Sequence, residues 1–173
     1  LGYVFDAKPL VRWIGLTLYK AGLRRAEHVF VLNQMNYDTM KNARMVAAGK
    51  LILLKGGEGI NLNDYPYMPA GYSGGVVFLM VSRVLYDKGY AEFAEAARII
   101  KKQHPNVAFK FVGPTAYDSP MGVPQHVFEK DLQENIFDYL GVSNDVKSIV
   151  GQPNTVVVLP SSYHEGLNRS LME

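Results

Sequence analysis

Two cations and two acids carry most of the chemistry this sequence can offer. The segment SRVLYDKG (82–89) sets Arg83 and Lys88 five residues apart, and the closing LPSSYHEGLNRSLME (159–173) sets Glu165 and Glu173 eight apart. A guanidinium presents a planar fork to phosphate oxygens and an ammonium a point charge. Glu165 and Gly166 precede what reads as a helix opening near Asn168, where free backbone N–H groups and the positive helix end favour an anion. Brought together, these groups suit a diphosphate with polyol groups on either side. Taken singly they are ordinary: Arg83 and Lys88 as solvated cations, Glu165 as an acid near a helix start, Glu173 as a surface acid, and Asn168 as an N-cap. Eight Glu occur in the chain, so the spacing of one pair decides little.

The elements that must position these residues follow from the apolar pattern. VVFLMVS (76–82) is a continuous apolar run, the mark of a central parallel strand. YAEFAEAARIIKKQH (90–104) reads as a helix with Phe93, Ala96, Ala97 and Ile100 on one face. Strands are expected at 107–113, 134–141 and 155–161, with a long loop after the first and a short helix over 144–150. Earlier, strands at 28–33 and 50–57 flank a helix over 36–50 closed by Gly49, and a further helix is expected over 8–25. This alternation predicts an α/β fold with right-handed crossovers. It puts Arg83, Lys88 and Glu165 beyond the carboxyl ends of two strands, where open parallel sheets bind ligands. The Pro-, Gly- and Tyr-rich stretch 63–75 is the candidate linker.

Composition narrows the classes. The 173 residues are 48% hydrophobic and 20% charged, an ordinary globular balance. A net charge of +2 makes no case for nucleic acid. No Cys is present, which excludes disulfides and thiol chemistry. No run of about 18 apolar residues predicts a membrane span, and no signal-peptide pattern is seen. Gly56, Gly57 and Gly59 begin a dinucleotide fingerprint whose third glycine falls on Leu62, so it fails. His28, His104, His126 and His164 lack zinc-ligand spacing. Ser161 and Ser162 sit in no nucleophile elbow. Five cations (Lys8, Arg12, Lys20, Arg24 and Arg25) are interspersed with Trp13, Ile14 and other apolar residues over 8–25. That pattern permits either a packed helix with a basic side or a membrane-surface helix. The chain starts at Leu1 rather than Met and stops within a helical pattern, so it reads as a fragment.

The stretch FLMVSRVLYDKGYAEFAEAARIIKKQHPNVAFKFVG (78–113) resembles the donor-domain opening of retaining GT-B glycosyltransferases of family 4, with their R-x4-K-G pair, "EAA" helix and strand ending in "VG". VVVLPSSYHEGLNRSLME (156–173) is similar to the family's E-x7-E signature. VFVLNQMNYDTM (29–40) and LILLKGGEGINLNDY (51–65) look like the end of its acceptor domain and the passage out of it. The resemblance covers nearly the whole chain. It departs at Asn168, where Pro is common, at Thr155, where Asp is usual, and in the GGEG turn.

What the resemblance implies is specific. The fold would be GT-B, Rossmann-like, a parallel sheet with flanking helices. Residues 1–66 would close the acceptor domain, 67–75 would be the linker and 76–173 a truncated donor domain. Arg83 and Lys88 would bind the diphosphate of a nucleotide-sugar, UDP-linked by first expectation, and stabilise charge on the leaving nucleotide. Glu165 would contact the donor sugar beside the backbone of Gly166 and Leu167, and Glu173 the ribose. Eight helical residues rise about 12 Å and turn about 80°, close to the span from hexose to ribose. No cofactor and no metal is expected. The acceptor would be a glycan or polyprenyl-linked glycan of the bacterial capsular, O-antigen or lipid-linked type. The enzyme would be cytoplasmic, peripheral on the inner membrane face through residues 8–25, and would not bind nucleic acid. This chain alone would be inactive. Other classes left open are a non-catalytic nucleotide-binding module, an interfacial membrane module centred on Trp13, and a nucleotide-sugar 2-epimerase, which the "EG…E" context disfavours.

Overall fold

A computed structural model of the chain describes residues 8–47, 49–67, 74–162, 166 and 168–172. Two compact units emerge: Leu1–Ile60 with His164–Met172, and Asn61–Tyr163 with Glu173. The first contains α1 (Pro9–Leu23), β1 (Val29–Val31), α2 (Gln34–Asn42) and β2 (Leu51–Leu53). Proline at the start of α1 suits a position whose N–H needs no partner. The two strands pair in parallel, Val29 opposite Leu51 and Val31 opposite Leu53. Asn33 caps α2 by accepting the Asn36 N–H at 2.7 Å. Val31, Met40 and Met45 form a small core on which Leu16 and Leu23 of α1 pack. No residue of α1 is fully buried; Leu10, Trp13 and Leu18 are 68%, 66% and 67% exposed.

The helix expected over 36–50 ends well before Gly49. Met45 N–H reaches the carbonyl of Met40 and Arg44 N–H that of Lys41, both at 3.0 Å, while Arg44 takes a left-handed φ of 48°. These are the two bonds of a Schellman motif, and the buried Met40 and Met45 supply its apolar contact. Arg stands where Gly is usual.

The second unit is a parallel sheet ordered β5-β4-β3-β6, of β3 (Val77–Val81), β4 (Ala108–Val112), β5 (Asp138–Tyr139) and β6 (Thr155–Val157). Helices α3 (Tyr90–Gln103), α4 (Gln125–Gln133) and α5 (Val146–Val150) connect the strands. Its core is aromatic: Tyr90, Phe93, Phe109, Phe111, Phe128 and Phe137 are all buried around Met80. The rings of Phe93 and Phe109 stand 5.5 Å apart and those of Phe128 and Phe137 5.9 Å, within the range for favourable edge and tilted contacts. Asp131 is the one buried charge among the described residues, and it accepts from Tyr90 Oη at 2.7 Å and from Arg98. Burial, and then the bond to Asp131, push the Tyr90 phenol far above its ordinary range.

Two expectations need correction here. The long loop after β4 contains a helix, α4, whose inner face carries Phe128 and Asp131. The strand expected over 134–141 shrinks to Asp138 and Tyr139. Asn135, left-handed at φ 52°, ends α4 with a second Schellman motif, Ile136 N–H to Asp131 O and Asn135 N–H to Leu132 O, each 3.0 Å. Ile136 and Phe137 then enter the core as loop residues, so their apolar run is burial without pairing. The closing helix α6 (Arg169–Met172) groups with the first unit.

Candidate functional site

The segment between β3 and α3 carries Arg83 and Lys88, and its path is fixed from two sides. Val84 N–H reaches the carbonyl of Pro114 at 3.0 Å and Tyr86 N–H that of Met121 at 2.9 Å, so the loop after β4 holds its first half. A short 3-10 turn (Tyr86–Lys88) follows, and Gly89 closes it with φ 86°. The other side is the end of β6. Ser161 Oγ and Ser162 N–H both donate to the Asp87 carbonyl at 3.1 Å, and Ser162 Oγ lies 3.4 Å from it. A Cβ on Gly89 would meet the Pro160 carbonyl oxygen at 2.2 Å, so only glycine meets both the backbone angle and the approach. Since β3 and β6 are parallel neighbours, the cations after one strand and the Pro160–Ser161–Ser162 run after the other emerge side by side.

Arg83 is exposed and Lys88 half-buried. Partial burial lowers the Lys88 ammonium below its ordinary value; Asp87 opposes that shift and Arg83 adds to it. The three side chains therefore form one electrostatic group. One carboxylate oxygen of Asp87 is enclosed with no hydrogen-bond partner among the described residues. A buried acceptor without a donor is costly. Sequence reasoning missed Asp87. Its only signal was an acid adjoining Lys88, which by itself suggests a neutralised surface pair.

Of the other expected site residues, Glu165, Leu167 and Glu173 lie outside the described residues. Gly166 is described in the first unit, where an added Cβ would come within 2.5 Å of the Leu32 side chain. Asn168 accepts the Ser170 N–H on its Oδ1 at 2.9 Å, the capping role its type suggested. The structure thus brings Arg83, Lys88, Asp87 and the Ser161–Ser162 backbone together. Among the described residues no group of three or more His, Cys, Asp or Glu is placed to hold a metal ion. No helix among them is long and apolar enough to cross a membrane.

Comparison with known proteins gives concordant findings. The pattern of the family described as Glycosyl transferases group 1 matches residues 70–173. The N,N'-diacetylbacillosaminyl-diphospho-undecaprenol alpha-1,3-N-acetylgalactosaminyltransferase of Campylobacter jejuni is 27% identical over 176 residues, covering 95% of this chain. The chain spans 44% of that relative's length. Among solved structures, Anabaena HepE in complex with UDP and glucose superposes with a TM-score of 0.68 at 18% identity, over 94% of this chain and 45% of that one. A mutant of S. aureus TarM in complex with fondaparinux, alpha-GlcNAc-glycerol and UDP gives a TM-score of 0.63 at 15% identity, over 96% of this chain and 31% of that one. The fold is accordingly the α/β fold of GT-B enzymes, a parallel sheet with flanking helices.

Proposed function

Because this chain belongs to the glycosyl transferases group 1 family, we propose that it is part of a retaining, family 4 glycosyltransferase that moves a hexosyl or N-acetylhexosaminyl group from a UDP-sugar to a glycan or lipid-linked glycan. Residues 1–66 end the acceptor domain, 67–75 link, and 76–173 belong to the donor domain. Arg83 and Lys88 hold the donor diphosphate and neutralise the charge that grows on it as the glycosidic bond to the nucleotide breaks. Glu165 meets the donor sugar's hydroxyls, with the N–H groups of Gly166 and Leu167 beside it, and Glu173 the ribose. Two fixed cations perform the neutralisation in this reading, and no metal ion takes part. The observation that carries it is the clamp on the cation loop, in which Ser161 and Ser162 grip the Asp87 carbonyl and Gly89 abuts Pro160. Such a loop presents both charges without reorganisation when the donor binds. The UDP bound in two similar structures and the undecaprenol-linked substrate of the Campylobacter relative support the donor and acceptor classes.

The test is nucleotide-diphosphate binding by the intact protein. Arg83→Ala or Lys88→Ala should each weaken it about tenfold or more, the worth of a charge-assisted bond to phosphate. Unchanged affinity in both variants would overturn the assignment. Transfer of labelled sugar should survive excess chelator and be lost in Glu165→Ala and Glu173→Ala. Binding without transfer in the parent protein would favour a non-catalytic module instead. Peripheral contact with the cytoplasmic membrane face through α1 is part of the same reading, supported by the exposed Leu10, Trp13, Ile14 and Leu18 beside Lys8 and Arg12. Vesicle binding indifferent to charge reversal at Lys8, Arg12 and Arg24 would argue against it.

A further inference from the structure

The first unit contains a cleft of about 690 Å³ between the C-terminal ends of α1 and α2 and the start of β2. Lys20 and Arg24 line it from α1, Lys41 and Arg44 from the end of α2, and Lys50 from the residue before β2. No carboxylate is among its described lining residues.

Cations near helix C-termini have a bland explanation, since the free carbonyls there carry a partial negative charge of about half a unit per helix. Two helix ends thus answer about one of the five positive charges. The rest converge on a hollow. Lys50 cannot readily swing away, because its Nζ donates to the Ala26 carbonyl at 2.8 Å. Lys41 Nζ stands 5.9 Å from the centre of the Tyr37 ring, which forms another part of the wall.

Arg44 gives the independent observation. It occupies the left-handed position of the Schellman motif, φ 48°, where glycine would fit without strain. Backbone strain kept at a cation that lines a basic cleft points to a use for the side chain. The cleft is larger than a lone phosphate needs and lies in the size range of small-molecule sites. We propose that it binds a ligand through a phosphate or diphosphate group held by Arg24, Lys41, Arg44 and Lys50. The site would act independently of Arg83 and Lys88, neither of which lines it.

The experiment uses the intact protein with Arg83→Ala and Lys88→Ala in place, so that binding at that pair is removed whatever its role. Inorganic pyrophosphate should still bind saturably in calorimetry at low salt. Lys41→Glu with Arg44→Glu should weaken that binding about tenfold or more in protein that still shows a cooperative melting transition. Arg44→Gly should weaken it several-fold while raising the melting temperature, which a purely structural Arg44 would not do. If the paired reversal on α2 unfolds the protein, Lys20→Glu with Arg24→Glu repeats the measurement from α1. A second arm compares vesicles of phosphatidylglycerol with vesicles of phosphatidylcholine. Dependence on Lys41 and Arg44 for the anionic vesicles assigns the phosphate to a lipid headgroup, whereas dependence for pyrophosphate alone assigns it to a soluble ligand. Absence of saturable pyrophosphate binding together with vesicle binding indifferent to the reversals overturns the proposal, as does pyrophosphate binding that both reversals leave unchanged.

Discussion

At the scale of single residues, Lys88 offers the sharpest electrostatic test. Its ammonium must be charged to hold a diphosphate, and partial burial lowers its pKa from the ordinary 10.5. Diphosphate affinity should therefore fall, as pH rises, earlier than an exposed lysine would dictate. Asp87→Asn removes the one influence that raises the pKa, so the midpoint of that fall should move to lower pH. Arg83→Gln removes an influence that lowers it, so the midpoint should move up. Calorimetric titrations across pH check both directions, and matching shifts in the two variants would refute the arrangement. The stability sign is opposite to that of a salt-bridged lysine. Between the lowered folded pKa and the unfolded value, the unfolded chain binds more protons, so this group's contribution to stability rises with pH there. Below that window the charged, half-buried Lys88 is a cost, and Lys88→Met should raise the melting temperature at neutral pH while weakening diphosphate binding about tenfold or more. Arg83 and Lys88 were singled out in the sequence by their place after an apolar strand and by the family resemblance of the R-x4-K-G pair, since by type alone they read as solvated cations. Asp87 was not, because its role lies in a backbone carbonyl and an enclosed oxygen that no residue type announces.

At the scale of elements, the sequence misled where helices stop. A search for glycine placed the end of α2 at Gly49, yet Arg44 ends it, and no glycine marked α4, which Asn135 ends. Both ends are Schellman motifs recognisable only from the buried residue that follows the left-handed one, Met45 after Arg44 and Ile136 after Asn135. Helix α4 was hidden for a further reason. Asp131 sits on its inner face, satisfied by Tyr90 and Arg98, so a charge interrupts the apolar period at a core position. Strand β3 was readable because its run is apolar throughout, and α3 because its polar residues keep to the outer face and leave the apolar period intact. These readings have consequences. Arg44→Gly should stabilise the protein by about 1 kcal/mol, the relief of a left-handed non-glycine residue. Gly89→Ala should do the reverse, costing about 1–2 kcal/mol for the backbone alone and more for the approach to Pro160. It should also weaken diphosphate binding by displacing the loop that holds Lys88. Urea unfolding and nucleotide titration measure the two effects, and a Gly89→Ala protein with native affinity would show that the clamp does not position the cations.

At the scale of the whole chain, the two units differ in what holds them. The second buries a dozen core residues, half of them aromatic, around β3 and β4. Among the described residues the first buries Val31, Met40 and Met45, and α1 packs on it through half-buried Leu16 and Leu23. Opening free energy follows local burial, because a segment exchanges its amides through the cheapest opening that exposes them. Backbone amides of β3 and β4 should consequently exchange slowest, those of β1 and β2 faster, and those of α1 fastest among the long helices. Phe93→Ala should cost about 3–5 kcal/mol, since that ring fills the space between β4 and the Phe137 loop. The same substitution should accelerate exchange throughout β3, β4 and α3 while leaving β1 and α2 near their parent rates. Hydrogen exchange read by mass spectrometry resolves these segments. If Phe93→Ala loosens β1 and α2 as much as β4, the chain unfolds as one cooperative body and the description by two separate cores fails.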